Sequence, residues 1–135
     1  MINLDLSDEQ LLLEASVREW AAREVAPHIR DCDREHRFDP RVLPQMADLG
    51  VLGVCVPAEY GGAGMDYIAL GLASEELEYV DTSLRVILSV HVGLNSLTLL
   101  AWGTEDQKQR YLMPQAQGVK LATYSSSSLA SPRQR

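Results

Sequence analysis

Between Leu84 and Trp102 only Arg85 carries a charge, and apolar residues occur on every helical face. A helix that is apolar all round either lies at the centre of a bundle or spans a membrane. Ser89, His91, Asn95, Ser96 and Thr98 interrupt this stretch, and a free-standing span disfavours that many polar groups. The stretch therefore predicts the buried central helix of an all-α bundle, with no membrane span.

The flanking segments supply the other helices, giving a bundle of about five to six. Ser7 and Gln10 form a capping box, and Leu13, Val17, Ala21, Val25 and Ile29 then recur every four residues with Trp20 beside them. Pro27 lacks an amide hydrogen and predicts a kink or break. Asp31 to Arg37 reads as a solvated helix end. Asp39-Pro40 looks like an N-cap followed by proline at the first helical position. The short helix after it runs through Val42, Met46 and Leu49 and stops at Gly50. Val51 to Val56 is an apolar run without an evident partner strand and reads as a buried connector. A glycine-rich loop follows over Pro57 to Gly64. Asp66 caps a third major helix, through about Val80, and Asp81-Thr82-Ser83 separates it from the central one. Thr104 to Gln107 is a second capping box, opening a helix that ends near Gly118.

Composition narrows the function. The chain has 135 residues, 46% of them apolar and 23% charged, which fits a single globular domain. Lys plus Arg number 12 against 19 Asp plus Glu, a net charge of -7 without a basic run, so nucleic acid is a poor partner. Cys32 and Cys55 make neither a disulfide framework nor a zinc pattern. The start, MINLDLSDEQ, has neither secretory signal nor basic transit character, which leads us to expect a cytoplasmic or intracellular-matrix protein. His28, His36 and His91 lack metal-ligand spacing. Glu75 and Glu76 adjoin and so point apart on a helix. Gly61-Gly62-Ala63-Gly64 lacks the Lys-Ser/Thr of a phosphate loop and reads as a turn. No residue is picked out as catalytic or metal-binding. Arg85 and Ser89 share a helical face, with His91 half a turn beyond. They could hold an anionic or polar group at one end of an apolar slot. The alternative is that Arg85 pairs with Asp81 or Glu78 and shields the helix join.

The segments LSDEQLLLEASVREWAAREVAP, MADLGVLGVCVPAEYGGAGMDYIAL, EELEYVDTSLRVILSVH and WGTEDQKQRYL closely resemble the N-terminal helical domain of acyl-CoA dehydrogenases, in the same order and spacing. The similarity runs from about Leu6 to Thr123. It implies an FAD-dependent oxidoreductase of fatty acid or amino acid catabolism, which desaturates the α,β bond of an acyl-CoA thioester. It further implies a middle β domain, a C-terminal helical domain, a homotetramer and an electron-transfer flavoprotein as acceptor. In such enzymes the central N-terminal helix lines the acyl-chain pocket. The matching positions here are Val86, Ile87, Val90, His91 and Leu94. The string from Asp81 to Val90 is also similar to the glutaryl-CoA branch, in which an arginine and a serine at the positions of Arg85 and Ser89 hold the distal carboxylate. Asn95 to Trp102 departs from that branch.

After Tyr124 the family continues with a segment that opens the flavin site, whereas this chain has four serines, Ser125 to Ser128, and then Leu129 to Arg135. Residues 1–123 are therefore expected to form the family-like domain and residues 124–135 a disordered, non-family tail, from a truncated or frame-shifted gene product or a cut chain. Leu121 to Tyr124 could begin a strand. On this reading the chain lacks most of the flavin site and the catalytic base. It would then be silent as a catalyst and prone to self-association through uncovered apolar faces. The alternative is a stand-alone helical module that binds an acyl chain or a partner helix without flavin.

Overall fold

Six helices carry the fold of this computed structural model, which describes residues 5–124. We number them α1 (Asp8–Trp20, extended by a wider turn Ala21–Val25), α2 (Ile29–Arg34), α3 (Val42–Asp48), α4 (Tyr67–Val80), α5 (Thr82–Trp102) and α6 (residues 105–116). Among the described residues there is no strand, and residues 121–124 run without a ladder. The expected tail from Ser125 onward lies outside the described residues.

The ends of these helices follow from local chemistry. The Ser7 hydroxyl accepts the Gln10 amide at 3.2 Å, and the Gln10 side-chain oxygen accepts the Ser7 amide at 2.9 Å. Thr104 and Gln107 repeat the box at the start of α6. Gln10 also donates its side-chain amide to the Asp66 carboxylate at 2.8 Å, and Asp66 in turn caps α4 through the Ala69 amide. One polar chain thus ties the starts of α1 and α4 together. Further along, the Arg18 guanidinium reaches Glu76 of α4 at 2.6 Å. Val17, Trp20, Ala21 and Val25 bury the stripe between the two helices. Pro27 breaks the helix as its missing amide requires: the Ala26 amide bonds the carbonyl of Ala21, five residues back, and α2 restarts at Ile29.

The start of α3 differs from expectation. Asp39 does not cap a helix beginning at Pro40. Its carboxylate accepts the Arg41 amide at 3.0 Å and grips the same residue's guanidinium at 2.6 Å, so helical bonding begins only at Val42. Asp39 closes a local side-chain turn in place of the cap. Gly50, with φ 74°, ends α3 in the left-handed region. Val51 to Val56 is buried throughout, as the connector reading expects. The glycine-rich loop then folds back onto it: Ala63 donates to Gly53, Gly64 to Val56 and Met65 to Val54.

The expectation of a helix buried on all sides is corrected for α5. Leu84, Leu88, His91, Val92 and Ser96 are buried, but Val86 is 41% exposed, Leu94 52% and Trp102 86%. By length and composition α5 could cross a membrane. In this fold its inner face packs against α4, α6 and the turn Val51–Gly53. A uniformly apolar sequence does not specify which face the rest of the domain will cover.

Candidate functional site

The outer face of α5 is the candidate site, and its geometry begins at the helix start. Asp81 ends α4 and caps α5, accepting the Ser83 amide at 2.9 Å and the Ser83 hydroxyl at 2.6 Å. Arg85 reaches back across the joint to Glu78, with Nε 2.7 Å from the carboxylate. That guanidinium, and next the Thr82 hydroxyl, hold the Glu78 carboxyl below its usual range. The Ser89 hydroxyl donates to the Val86 carbonyl at 3.1 Å. The possible anion cradle of Arg85 and Ser89 is therefore partly engaged: Arg85 Nε bonds one of the two carboxylates named as its alternative partners, and the Ser89 hydroxyl bonds a backbone carbonyl.

Beyond Ser89 the helix widens. Residues Ser89–Ser96 wind as a π-helix. Two side chains reinforce that wider turn by bonding carbonyls five residues back: Asn95 Nδ2 to Val90 at 2.9 Å, and Ser96 Oγ to His91 at 3.0 Å. Val86 and Leu94 stand open, while Ile87, Ser89 and Val90 are half-buried. His91 is fully buried and takes no part in the open surface. Its Nε2 lies 3.1 Å from the Gln115 carbonyl of α6, and its Nδ1 accepts the Ala122 amide at 3.0 Å. Burial pushes the imidazole below its ordinary pKa. These partners lie far away in the chain, and no local pattern around His91 announces them.

Among the described residues no metal centre and no activated cysteine lies on this face. The Cys55 thiol donates to the Asp66 carbonyl at 3.2 Å, and burial, with the nearby Asp66 charge, pushes its pKa up to about 11. Among the described residues no three His, Cys, Asp or Glu side chains converge as metal ligands. A flavin pyrophosphate needs free backbone amides, and the glycine-rich loop offers none at Gly62, Ala63 or Gly64, whose amides are bonded to Pro57, Gly53 and Val56. The residues of this loop thus do not fit a dinucleotide.

A feature invisible in the sequence is a cavity of about 560 Å³ beside the start of α5. It is bordered by Val25, Cys32, Phe38, Val42 and Leu84, with His28 and Arg37 at its walls. Its lining comes from two stretches far apart in the chain, residues 24–42 and 80–84, so no single motif marks it.

Residues 7–119 match a family model described as the acyl-CoA dehydrogenase N-terminal domain. The short-chain-specific acyl-CoA dehydrogenase of Clostridium acetobutylicum is 39% identical over 123 residues, covering 91% of this chain and 32% of the relative. Butyryl-CoA dehydrogenase from Megasphaera elsdenii superposes with a TM-score of 0.85 at 28% identity, covering 89% of this chain and 32% of that one. A chain from work on the electron transferring flavoprotein of Acidaminococcus fermentans and flavin-based electron bifurcation gives a TM-score of 0.85 at 35% identity, with the same coverages of 89% and 32%. The chain spans about a third of the length of these relatives.

Proposed function

The chain belongs to the acyl-CoA dehydrogenase family, as its N-terminal domain, and we propose that it supplies one wall of an acyl-chain pocket in an FAD-dependent dehydrogenase of acyl-CoA thioesters. The observation that carries this reading is the open apolar face of α5. Val86 and Leu94 are exposed there, flanked by half-buried Ile87 and Val90, on the helix whose other side is anchored in the domain. An alkyl chain needs an apolar wall of this kind, and water pays a continuing penalty for contact with it. His91 stands behind the wall as support.

The acyl group that this wall fits is an uncharged one. Arg85 already bonds Glu78 through Nε, and the Ser89 hydroxyl donates to the Val86 carbonyl, so a distal carboxylate would have to compete with Glu78 for the guanidinium. The flavin and the catalytic base belong to the family's further domains, and the oxidised flavin would be restored by an electron-transfer flavoprotein. Residues 1–123 act as the family domain, and the isolated chain is catalytically silent. Its uncovered residues Val86, Leu94 and Trp102 drive self-association, which light scattering would register as a dimer or larger species.

A chimera tests the reading. Residues 1–123 replace the matched region of the C. acetobutylicum relative. The purified protein is then mixed anaerobically with butyryl-CoA or glutaryl-CoA, and flavin bleaching is followed. We expect a yellow protein bleached faster by butyryl-CoA. A yellow protein that neither thioester bleaches contradicts the acyl-wall assignment, and preference for glutaryl-CoA contradicts the uncharged acyl group.

A further inference from the structure

The ring of His91 has both nitrogens committed. The Ala122 backbone N–H points at Nδ1 from 3.0 Å, so Nδ1 must present a lone pair. The Gln115 carbonyl faces Nε2 at 3.1 Å, so Nε2 must carry the hydrogen. Only one neutral tautomer satisfies both contacts. An imidazolium would set an Nδ1 hydrogen against the Ala122 hydrogen and lose that bond. The ring is fully buried, as is Ser96, whose hydroxyl lies 3.0 Å from the His91 carbonyl and 3.2 Å from the Gln115 side-chain oxygen.

We propose that His91 is a positioning residue: in its neutral Nε2–H form it clamps the segment leaving α6, at Ala122, to the back of α5, and protonation opens the clamp. The clamp joins the π-helical part of α5 to the point where the chain leaves the helical domain. Only its consequence for substrate rests on the acyl-wall reading, since the clamp would then fix the wall from behind. No charged side chain is placed to hold an imidazolium there. The packed elements Val51–Gly53 and Met113–Ala116 contain no ionisable side chain, and neither does α5 besides Arg85, which is engaged with Glu78. The ionisable residues of the departing segment are Lys120, of like sign, and Tyr124, and both are exposed. Burial, the largest effect on the ring, favours its neutral form, and the backbone of Gln115, Ala122 and Leu52 acts in the opposite direction.

The sign of the pH effect follows. A histidine held neutral in the fold binds fewer protons than the unfolded chain, so its contribution is complete above the ordinary histidine value and is lost as pH falls through its lowered folded value. The Lys120 amide bonds the Pro114 carbonyl at 3.0 Å without touching His91 and serves as an internal control.

The test is amide-exchange protection at Ala122, with imidazole nitrogen shifts, on the full chain from about pH 8 to about pH 5, the range of histidine titration. In the wild type we expect the Nε2–H tautomer at high pH. Ala122 protection should fall by about tenfold or more as the ring protonates, ahead of any loss at Leu88. His91→Asn places an amide oxygen near the Nδ1 position and should keep Ala122 protected without the pH dependence. His91→Gln mimics the Nε2 donor instead and should lose Ala122 protection while Lys120 stays protected. Should either variant fail to fold, the wild-type titration decides alone. A Nδ1–H tautomer, Ala122 protection independent of pH, or simultaneous loss at Ala122 and Leu88 would overturn the clamp. None of these readouts involves substrate, so failure of the clamp is distinct from failure of the acyl-wall reading.

Discussion

Truncating α5 on its two faces should produce unequal losses of stability. Leu88 is fully buried between α5 and the rest of the domain, while Leu94 is 52% exposed. Leucine to alanine removes three carbons. At about 0.8 kcal/mol for each buried carbon the transfer loss at Leu88 is about 2.4 kcal/mol, and a cavity left in packed surroundings raises it to about 3–4 kcal/mol. In the monomer, at concentrations low enough to dissolve association through Leu94, about half of that transfer is at stake there and no closed cavity forms, so the loss is about 1 kcal/mol. Urea unfolding followed by circular dichroism reads the difference. With a slope of about 1.5 kcal/mol per molar for a chain of this size, Leu88→Ala lowers the midpoint by about 2 M and Leu94→Ala by less than about 1 M. Equal shifts would refute the two-faced helix. A larger shift for Leu94→Ala would mean that the open face is covered in solution, by a second copy or by another part of the chain. Repeating the titration over a range of protein concentrations tells these apart, because only association is concentration-dependent.

Three other perturbations have expected outcomes. A methyl group at Gly62 would lie 2.0 Å from the Val56 carbonyl oxygen and 2.5 Å from its Cβ, so Gly62→Ala should cost about 3 kcal/mol or more by urea unfolding. His36 holds φ at 51° where α2 ends, with Arg37 donating to the Cys32 carbonyl, so His36→Gly should raise stability by about 0.5–1 kcal/mol in the same assay. Asp66 has its carboxyl held below the usual range by the Ala69 amide and then by Gln10. Its contribution is therefore complete above the ordinary carboxylate value and lost as pH falls below it. Midpoints measured from about pH 6 to about pH 3 should decline less steeply in Asp66→Asn than in the wild type.

The parts of the fold legible in sequence are those fixed within one helical turn. Ser7 with Gln10, Thr104 with Gln107, Asp66 before α4 and Gly50 after α3 bond partners within a few residues, so their spacing is their structure. Pro27 is equally local, because it lacks the amide for a bond one turn back, whereas Pro44 in the first turn of α3 and Pro114 after the wider turn Lys108–Leu112 of α6 leave their helices intact. Asp39-Pro40 shows the limit of such reasoning: the same carboxylate had a competing donor in Arg41, whose backbone amide and guanidinium both bond it, and helical bonding starts only at Val42. The site depends on distance. Which face of α5 stays open is decided by α4, α6 and the turn at Leu52, and a sequence apolar on every face carries no record of that choice. Helical spacing put Arg85 beside Ser89 and also within reach of Asp81 or Glu78, and the structure pairs its Nε with Glu78, seven residues back across the helix join. The family resemblance put His91 among the positions that line the wall. The π-helical turn and partners 24 and 31 residues away turn its ring inward.

The decisive measurement is flavin bleaching by butyryl-CoA in the chimera carrying Leu94→Trp, set beside the chimera without it. An indole projecting from the open face should fill the space meant for the acyl chain. We expect FAD content and folding to match the parent, with bleaching slowed by about a hundredfold or more, comparable to losing several kcal/mol of substrate positioning. Unchanged bleaching in the Leu94→Trp protein, with FAD still bound, would show that the acyl chain does not run along this face of α5 and would contradict the assignment of the wall.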